Sequence, residues 1–373
     1  MATINGSNFN DNNTINGSPS ILRPGLNGGA DNDILNGNSG NDILNGNGSS
    51  DILNGGTGSD ILNGGAGSDV LDGGAGSDVL DGGADRDVLN GGSGSDILDG
   101  GNSSDILDGG AGNDTLIGGA DGSDTFIGSE GNDSIDGGQG FDTINYRAVS
   151  QRITLSGVGT VSKAGGLGQD TLFRVENIIA NSDVANNTID ASQSLAGVFI
   201  TVNLETRSLV ANNVPVLGTL PFTVVDFDDV IGTNANDTII GDNQNNQLSG
   251  GNGNDSINGG NGTDRLTGGL GNDIFDFNSV LESQPGASRD VITDFLGNGN
   301  LAGDQIDLST IDANPFLDND QAFTFIGTAA FSAVGQVRYL GGILQANTNF
   351  DLSPELEIQL VGAPGLVASN IIV

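Results

Sequence analysis

Aspartate recurs every nine residues through the first third of this 373-residue chain. It stands at Asp33, Asp42, Asp51, Asp60, Asp69, Asp78, Asp87, Asp96, Asp105 and Asp114, and after one inserted residue at Asp124, Asp133 and Asp142. The same beat returns at Asp228, Asp237, Asp255, Asp264 and Asp273, with Asn246 in the third slot. Each aspartate sits in a nine-residue unit, Gly-Gly-x-Gly-x-Asp-x-(Leu/Ile/Phe)-x, of which Gly73-Gly74-Ala75-Gly76-Ser77-Asp78-Val79-Leu80-Asp81 is a clean copy. A file of like carboxylates with backbone carbonyls close by suits one chemistry above others, the holding of a hard divalent cation.

The elements that must position these carboxylates follow from the unit itself. Six of its nine residues are turn-formers, with glycines where positive φ is needed. The remaining x-Leu-x suits a short strand whose middle side chain points inward. Such a unit makes no globule alone, but it can wind with two units per coil. Aspartates eighteen residues apart then stack in two columns. One column runs Asp33, Asp51, Asp69, Asp87, Asp105, and the other Asp42, Asp60, Asp78, Asp96, Asp114. Coils at strand spacing are roughly 4.8 Å apart, where two carboxylates repel by a few kcal/mol at an effective dielectric near 20. A cation between coils removes that penalty. Calcium takes six to eight oxygens at about 2.3–2.6 Å. The glycine loops offer carbonyls for it at Gly64, Gly67, Gly73, Gly76, Gly91, Gly94, Gly109 and Gly112, and again at Gly250, Gly253, Gly259 and Gly262.

Composition narrows the function further. Ten basic residues face 48 acidic ones, a net charge of −38. That balance opposes nucleic acid and anionic membranes as partners and favours cations. The same charge resists compaction, so the calcium-free chain is expected to be disordered. The chain has no cysteine and no histidine, which excludes thiolate metal sites, Ser-His-Asp triads and the His-Glu-x-x-His zinc site. No apolar run is long enough to span a bilayer, and the first residues do not read as a secretory signal peptide.

The repeat resembles that of the repeats-in-toxin (RTX, hemolysin-type) family, which implies an all-β parallel β-roll with calcium between successive turns. Five segments are expected: an N-terminal cap over 1–27, a first roll over 28–145, irregular coils over 146–227, a second roll over 228–277 and a β-rich cap over 278–373. Ser49, Ser103 and Asp85 replace the fourth-position glycine, and the expectation is either that the altered loops hold calcium less tightly or that Arg86, beside Asp85, replaces part of its charge. The end of the chain resembles the C-terminal domain of the serralysin metalloproteases. The residues that carry this are Asn272-Asp-Ile-Phe-Asp-Phe277, Asp290-Val-Ile-Thr-Asp-Phe295, Gly303-Asp-Gln-Ile-Asp-Leu-Ser309, Gly335-Gln-Val-Arg-Tyr339 and Glu357-Ile-Gln-Leu360. That resemblance implies type I secretion through a signal at the extreme C-terminus, although Asn370 stands where relatives carry an acidic residue.

Three functions compete on these grounds. One is a secreted, non-enzymatic solenoid that folds on extracellular Ca2+. A second is a surface-layer or adhesive element using its Asn and Asp rows against glycans or other copies of itself. The third is a serralysin-like hydrolase, which the missing histidine opposes.

Overall fold

The computed structural model describes residues 3–5, 26–157, 159–297, 303–362 and 364–373. The turn-like residues Thr14 to Gly17 and the prolines Pro19 and Pro24, read as parts of an N-terminal cap, lie outside them. The fold is all-β, with three short 3-10 turns as its helical content among the described residues. No helix there is long and apolar enough to cross a membrane. Contacts divide the chain into two units, residues 1–184 and 185–373. The boundary falls inside the 146–227 stretch that composition had marked as one segment.

In the first unit consecutive strands alternate between two parallel sheets. Ile34–Ser39, Ile52–Thr57, Val70–Ala75, Val88–Ser93 and Ile106–Ala111 stack in one. Ile43–Gly48, Ile61–Ala66, Val79–Ala84, Ile97–Gly101 and Thr115–Gly119 stack in the other. The register steps by eighteen residues: Leu35 faces Leu53, Leu53 faces Leu71, and Leu62 faces Leu80. A parallel pair needs a long crossover, and here the crossover is the strand of the opposite sheet. Thr3–Asn5 pairs in parallel with Ile34–Ser39 and extends the stack by one strand.

The inward position of each unit forms the core. Leu35, Leu44, Leu53, Leu62, Leu71, Leu80, Leu89, Leu98, Leu107 and Leu116 are all buried, followed by Phe126, Ile135 and Ile144. The residue before each leucine faces out, so Val79 is 41% exposed while Leu80 is 1% exposed. Strand alternation therefore predicts unequal costs. In saturating calcium, Leu80→Ala is expected to cost about 2–5 kcal/mol, as core truncations do. Val79→Ala should cost under about 1 kcal/mol. Urea midpoints of the two variants check this, and equal shifts would contradict the inward and outward assignment.

Residues 146–184 add something the repeat does not contain. Ile153–Ser156 and Thr160–Lys163 form an antiparallel hairpin, and Thr160–Lys163 pairs antiparallel with Gly168–Phe173. Gly168–Phe173 then rejoins the parallel stack beside Ser134–Asp136, and Asn177–Ile179 does so beside Thr143–Asn145. The longer coils expected here are thus coils interrupted by a hairpin.

The second unit repeats the plan. Asp229–Ile231, Gln247–Asn252, Arg265–Leu270 and Asp290–Ile292 pair in parallel on one side. Thr238–Ile240, Ser256–Asn258, Ile274–Asp276 and Gln305–Asp307 do so on the other. Leu356–Leu360 pairs in parallel with Asp290–Ile292 and antiparallel with Ile343–Asn347, which continues antiparallel to Gln336–Leu340. Ile371–Ile372 pairs with Gln305–Asp307. One stack thus runs through Leu356–Leu360 into an antiparallel meander, and the other is closed by Ile371–Ile372, both strands from the last 20 residues. An open sheet edge would otherwise offer unpaired N–H and C=O groups.

Candidate metal centre

Each repeat aspartate lies at the end of a turn, just before its strand, and is buried. From Asp42 to Asp142 the repeat aspartates are at most 4% exposed. Their two oxygens do different jobs. Oδ1 accepts the backbone N–H of the aspartate one coil earlier: Asp60 N–H donates to Asp78 Oδ1 at 2.7 Å, and Asp78 N–H to Asp96 Oδ1 at 2.8 Å. Across the inserted residue the relay continues unbroken, from Asp105 to Asp124 and from Asp114 to Asp133.

Oδ2 is left without a proton donor. This holds for Asp51, Asp60, Asp69, Asp78, Asp87, Asp96, Asp105, Asp114, Asp124 and Asp142, and in the second unit for Asp255, Asp264, Asp273 and Asp290. Buried polar atoms almost always find a partner, and an unpartnered carboxylate oxygen is among the costliest exceptions. A regular file of them marks a place for cations.

The first glycine of each unit shows what surrounds that oxygen. A Cβ built on Gly73 would lie 2.6 Å from Asp78 Oδ2 and 2.8 Å from the carbonyl oxygen of Gly91. At Gly64 the corresponding atoms are Asp69 Oδ2 at 2.4 Å and Gly82 O at 2.7 Å. Gly91, Gly109, Gly250 and Gly259 sit against the Oδ2 of Asp96, Asp114, Asp255 and Asp264 in the same way. A carboxylate oxygen and a carbonyl oxygen from a neighbouring coil thus converge on a space that glycine keeps open. Among the described residues no three acidic side chains come together, so backbone carbonyls must complete any coordination sphere. An all-oxygen, carbonyl-rich set suits calcium, and the residues present fit it.

The fourth-position glycines play another part. Gly67, Gly76, Gly94, Gly112, Gly253 and Gly262 have φ between 113° and 148° and pack onto the backbone of the coil before. They make the turn, whereas the first-position glycines border the carboxylate. Ser49, Asp85 and Ser103 hold positive φ at this place too, 68°, 73° and 78°. The turn survives substitution there at some conformational strain.

The surroundings of these carboxylates disfavour the bare charged form, which a cation or a proton would relieve. Burial, then neighbouring carboxylates, drives these groups upward against the backbone hydrogen bonds that hold them down. Asp60 and Asp69 are raised to about 6, Asp87 and Asp255 to about 7, and Asp264 to about 8. Asp105 also reaches about 7, and there Arg86 works against the rise.

Several sequence-read positions behave differently. Asp33, the first repeat aspartate of its column, donates its own N–H to Asp51 Oδ1. Asp237 accepts from Ile200 N–H on Oδ1, but its Oδ2 is taken by the Thr233 N–H at 2.6 Å and hydroxyl at 2.9 Å. That oxygen therefore has donors where those of Asp255 and Asp273 have none, although Gly232 is bordered by it and by the Gly250 carbonyl oxygen as at the other cradles. Asp133 faces a side-chain cation, Lys163.

Four acidic residues belong to the columns although periodicity did not find them. Asp133 N–H donates to Asp170, Asp142 N–H to Glu176, Asp264 N–H to Asp290 and Asp273 N–H to Asp304. They lie 37, 34, 26 and 31 residues onward rather than eighteen. The signal that could have found them is the apolar residue two places later, Leu172, Ile178, Ile292 and Ile306, each at an inward strand position.

Comparison with known proteins agrees with this geometry. The RTX calcium-binding nonapeptide repeat profile matches four stretches, residues 27–62, 54–89, 90–121 and 119–144. The Peptidase M10 serralysin C terminal profile matches residues 219–373. No curated protein matches the chain. Among solved structures it is similar to the extracellular lipase LipA from Serratia marcescens, at 18% identity and a TM-score of 0.21, over 75% of this chain. It spans 40% of the length of that protein, and a likeness this slight carries no argument.

Proposed function

Since the chain carries RTX calcium-binding nonapeptide repeats over 27–144 and a serralysin C-terminal domain over 219–373, and so binds Ca2+ at multiple sites, we propose that it is a secreted, non-enzymatic calcium-binding β-roll. It leaves the cell unfolded through type I secretion machinery that reads its C-terminal region. It folds outside on meeting calcium. The file of buried, donor-less Oδ2 atoms carries this reading, because a metal that fills them supplies folding energy by mass action. The matched families support the extracellular setting. The lack of any histidine in the chain supports a role without serralysin-type catalysis.

An adhesive role draws less support. The outward Asn and Asp rows bond along the stack, Asn45 to Asn27, Asn54 to Asn36 and Asn90 to Asp72. Part of their hydrogen-bonding capacity is thereby spent on the roll itself, leaving less for a glycan.

The test is equilibrium dialysis against calcium followed by elemental analysis. On the order of ten ions per chain are expected, with dissociation constants near ~10⁻⁴–10⁻³ M as in other extracellular modules. One or two ions per chain would overturn the reading. Chelator-sensitive proteolysis by purified protein would overturn its non-enzymatic part.

A further inference from the structure

The chain has a single lysine, and it is buried in the carboxylate column of the first unit. Lys163 Nζ lies 3.3 Å from Asp133 Oδ2 and also pairs with Asp170 Oδ1. The lysine and Asp170 side chains are fully buried and that of Asp133 nearly so. In this column the carboxylates before it, Asp60, Asp78, Asp96 and Asp114, all leave Oδ2 without a donor. At Asp133 that oxygen faces an ammonium instead.

The space beside it is filled as well. At Gly118 the position of an added Cβ is bordered by Asp124 Oδ2 and the Gly137 carbonyl oxygen, both at 2.3 Å. At Gly128, the equivalent place one unit on, it runs into the ring of Tyr146, with Cδ1 at 2.1 Å. The Tyr146 hydroxyl donates to Asp170 Oδ2 at 2.8 Å. So the cradle holds an aromatic ring, and both carboxylates it would have shared with a metal are bound by Lys163 and Tyr146.

We propose that Lys163 is a tethered stand-in for calcium: its ammonium permanently occupies the cation position between Asp133 and Asp170, and that gap binds no metal. This rests on the calcium reading of the rest of the column. A buried ammonium between two carboxylates repays its desolvation only with several good partners, and here it has two carboxylates with Tyr146 sharing the second. Being part of the chain, it does not depend on calcium concentration. A metal-filled gap gains stability with free calcium, whereas this one keeps its cation when calcium is withdrawn. The hairpin Ile153–Ser156/Thr160–Lys163 is the device that delivers it, which explains why the repeat is interrupted at this point.

Crystals of the calcium-loaded protein, measured at a wavelength where calcium scatters anomalously, test this directly. Metal peaks are expected beside Asp78, Asp96 and Asp124, with none between Asp133 and Asp170. A peak in that last gap, with Lys163 displaced, overturns the proposal. Absence of peaks everywhere overturns instead the calcium reading on which it rests. A second measurement uses the double variant Lys163→Ala/Tyr146→Ala, which clears both the ammonium and the ring that fills the cradle. Elemental analysis at saturating calcium should give one more ion per chain than the wild type, and a folded variant with the wild-type count overturns the proposal. Should that variant fail to fold, the wild-type map decides alone.

Discussion

Stripped of calcium at pH 8, the purified protein should give the far-ultraviolet circular dichroism of a coil, and acidification to pH 5 in the same chelator should bring strand signal back. The direction follows from the columns. Asp60, Asp69, Asp87, Asp105, Asp114, Asp142, Asp255, Asp264, Asp273 and Asp290 are raised in the folded chain to between about 6 and about 8, because burial and then neighbouring carboxylates disfavour the charged form. In the unfolded chain they return to the ordinary aspartate value near 3.9. A carboxylate raised on folding binds more protons in the folded state, so its contribution is greatest below pH 4. It declines across the window from about 4 to between 6 and 8, and above that the gain is gone. Protonation thus does, weakly, what calcium does well, which is to remove the repulsion within each file. Millimolar calcium should reverse the dependence, since metal binds the ionised form. A chelated protein whose spectrum is unchanged between pH 5 and pH 8, or more strand-like at pH 8, would contradict the account.

Two neighbouring glycines should separate metal binding from coil closure. Gly76 has φ 145°, and a Cβ there would sit 1.4 Å from the carbonyl oxygen of Gly58. At this φ both the conformation and the contact exclude a side chain, and the non-glycine residues at the same position, Ser49, Asp85 and Ser103, hold φ of 68°, 73° and 78° instead. Gly76→Ala is therefore expected to shift the turn and destabilise the coil at that point whatever the calcium concentration. The strained φ alone costs about 1–3 kcal/mol, and the displaced strands add to it. Gly73 lies outside the left-handed region. Its added methyl would meet Asp78 Oδ2 at 2.6 Å and the Gly91 carbonyl oxygen at 2.8 Å, the two oxygens proposed to face the metal. Gly73→Ala should fold in high calcium while holding fewer ions and requiring several-fold more calcium to reach its folding midpoint. Calcium titration of strand signal, paired with elemental analysis, distinguishes the two. Equal behaviour of the variants would show that the first glycine does not border a cation.

Much of this was legible in the residues. The nine-residue beat determined the columns, because only one winding places Leu35, Leu53 and Leu71 in one stack and Leu44, Leu62 and Leu80 in the other. It also determined the two-sheet coil, and the extra residue before Asp124 was absorbed in a turn without breaking the relay. What the beat could not reveal was how each column ends. Asp170, Glu176, Asp290 and Asp304 join after insertions of different lengths, so spacing alone gives no cue. Asp237 shows the reverse failure. It keeps perfect time, yet Thr233 four residues earlier satisfies the oxygen that elsewhere waits for metal. Lys163 was visible as the single lysine, but its place between two aspartates depends on a hairpin that brings residue 163 back beside residue 133. Nor does sequence distinguish the two oxygens of one carboxylate, and it is their division of labour that gives each column its structure.

The backbone bonds to Oδ1 give the stack a sense of direction. From Asp42 to Asp142 the repeat-aspartate amides look to a later coil for their acceptor, as Asp78 does to Asp96 and Asp96 to Asp114. A roll cut open on its N-terminal side strands no amide of this kind, whereas one cut open on its C-terminal side strands two. The closures are placed to match. Asp170 and Glu176 receive the last amides of the first roll, and Asp290 and Asp304 those of the second. Asp290 then hands its own N–H to the Ser283 hydroxyl, and Asp304 to the Leu296 carbonyl, both close by in the chain. The relay stops there, so the carboxylate-to-amide bonds of each roll are closed off at its C-terminal end and need no partner at its N-terminal end.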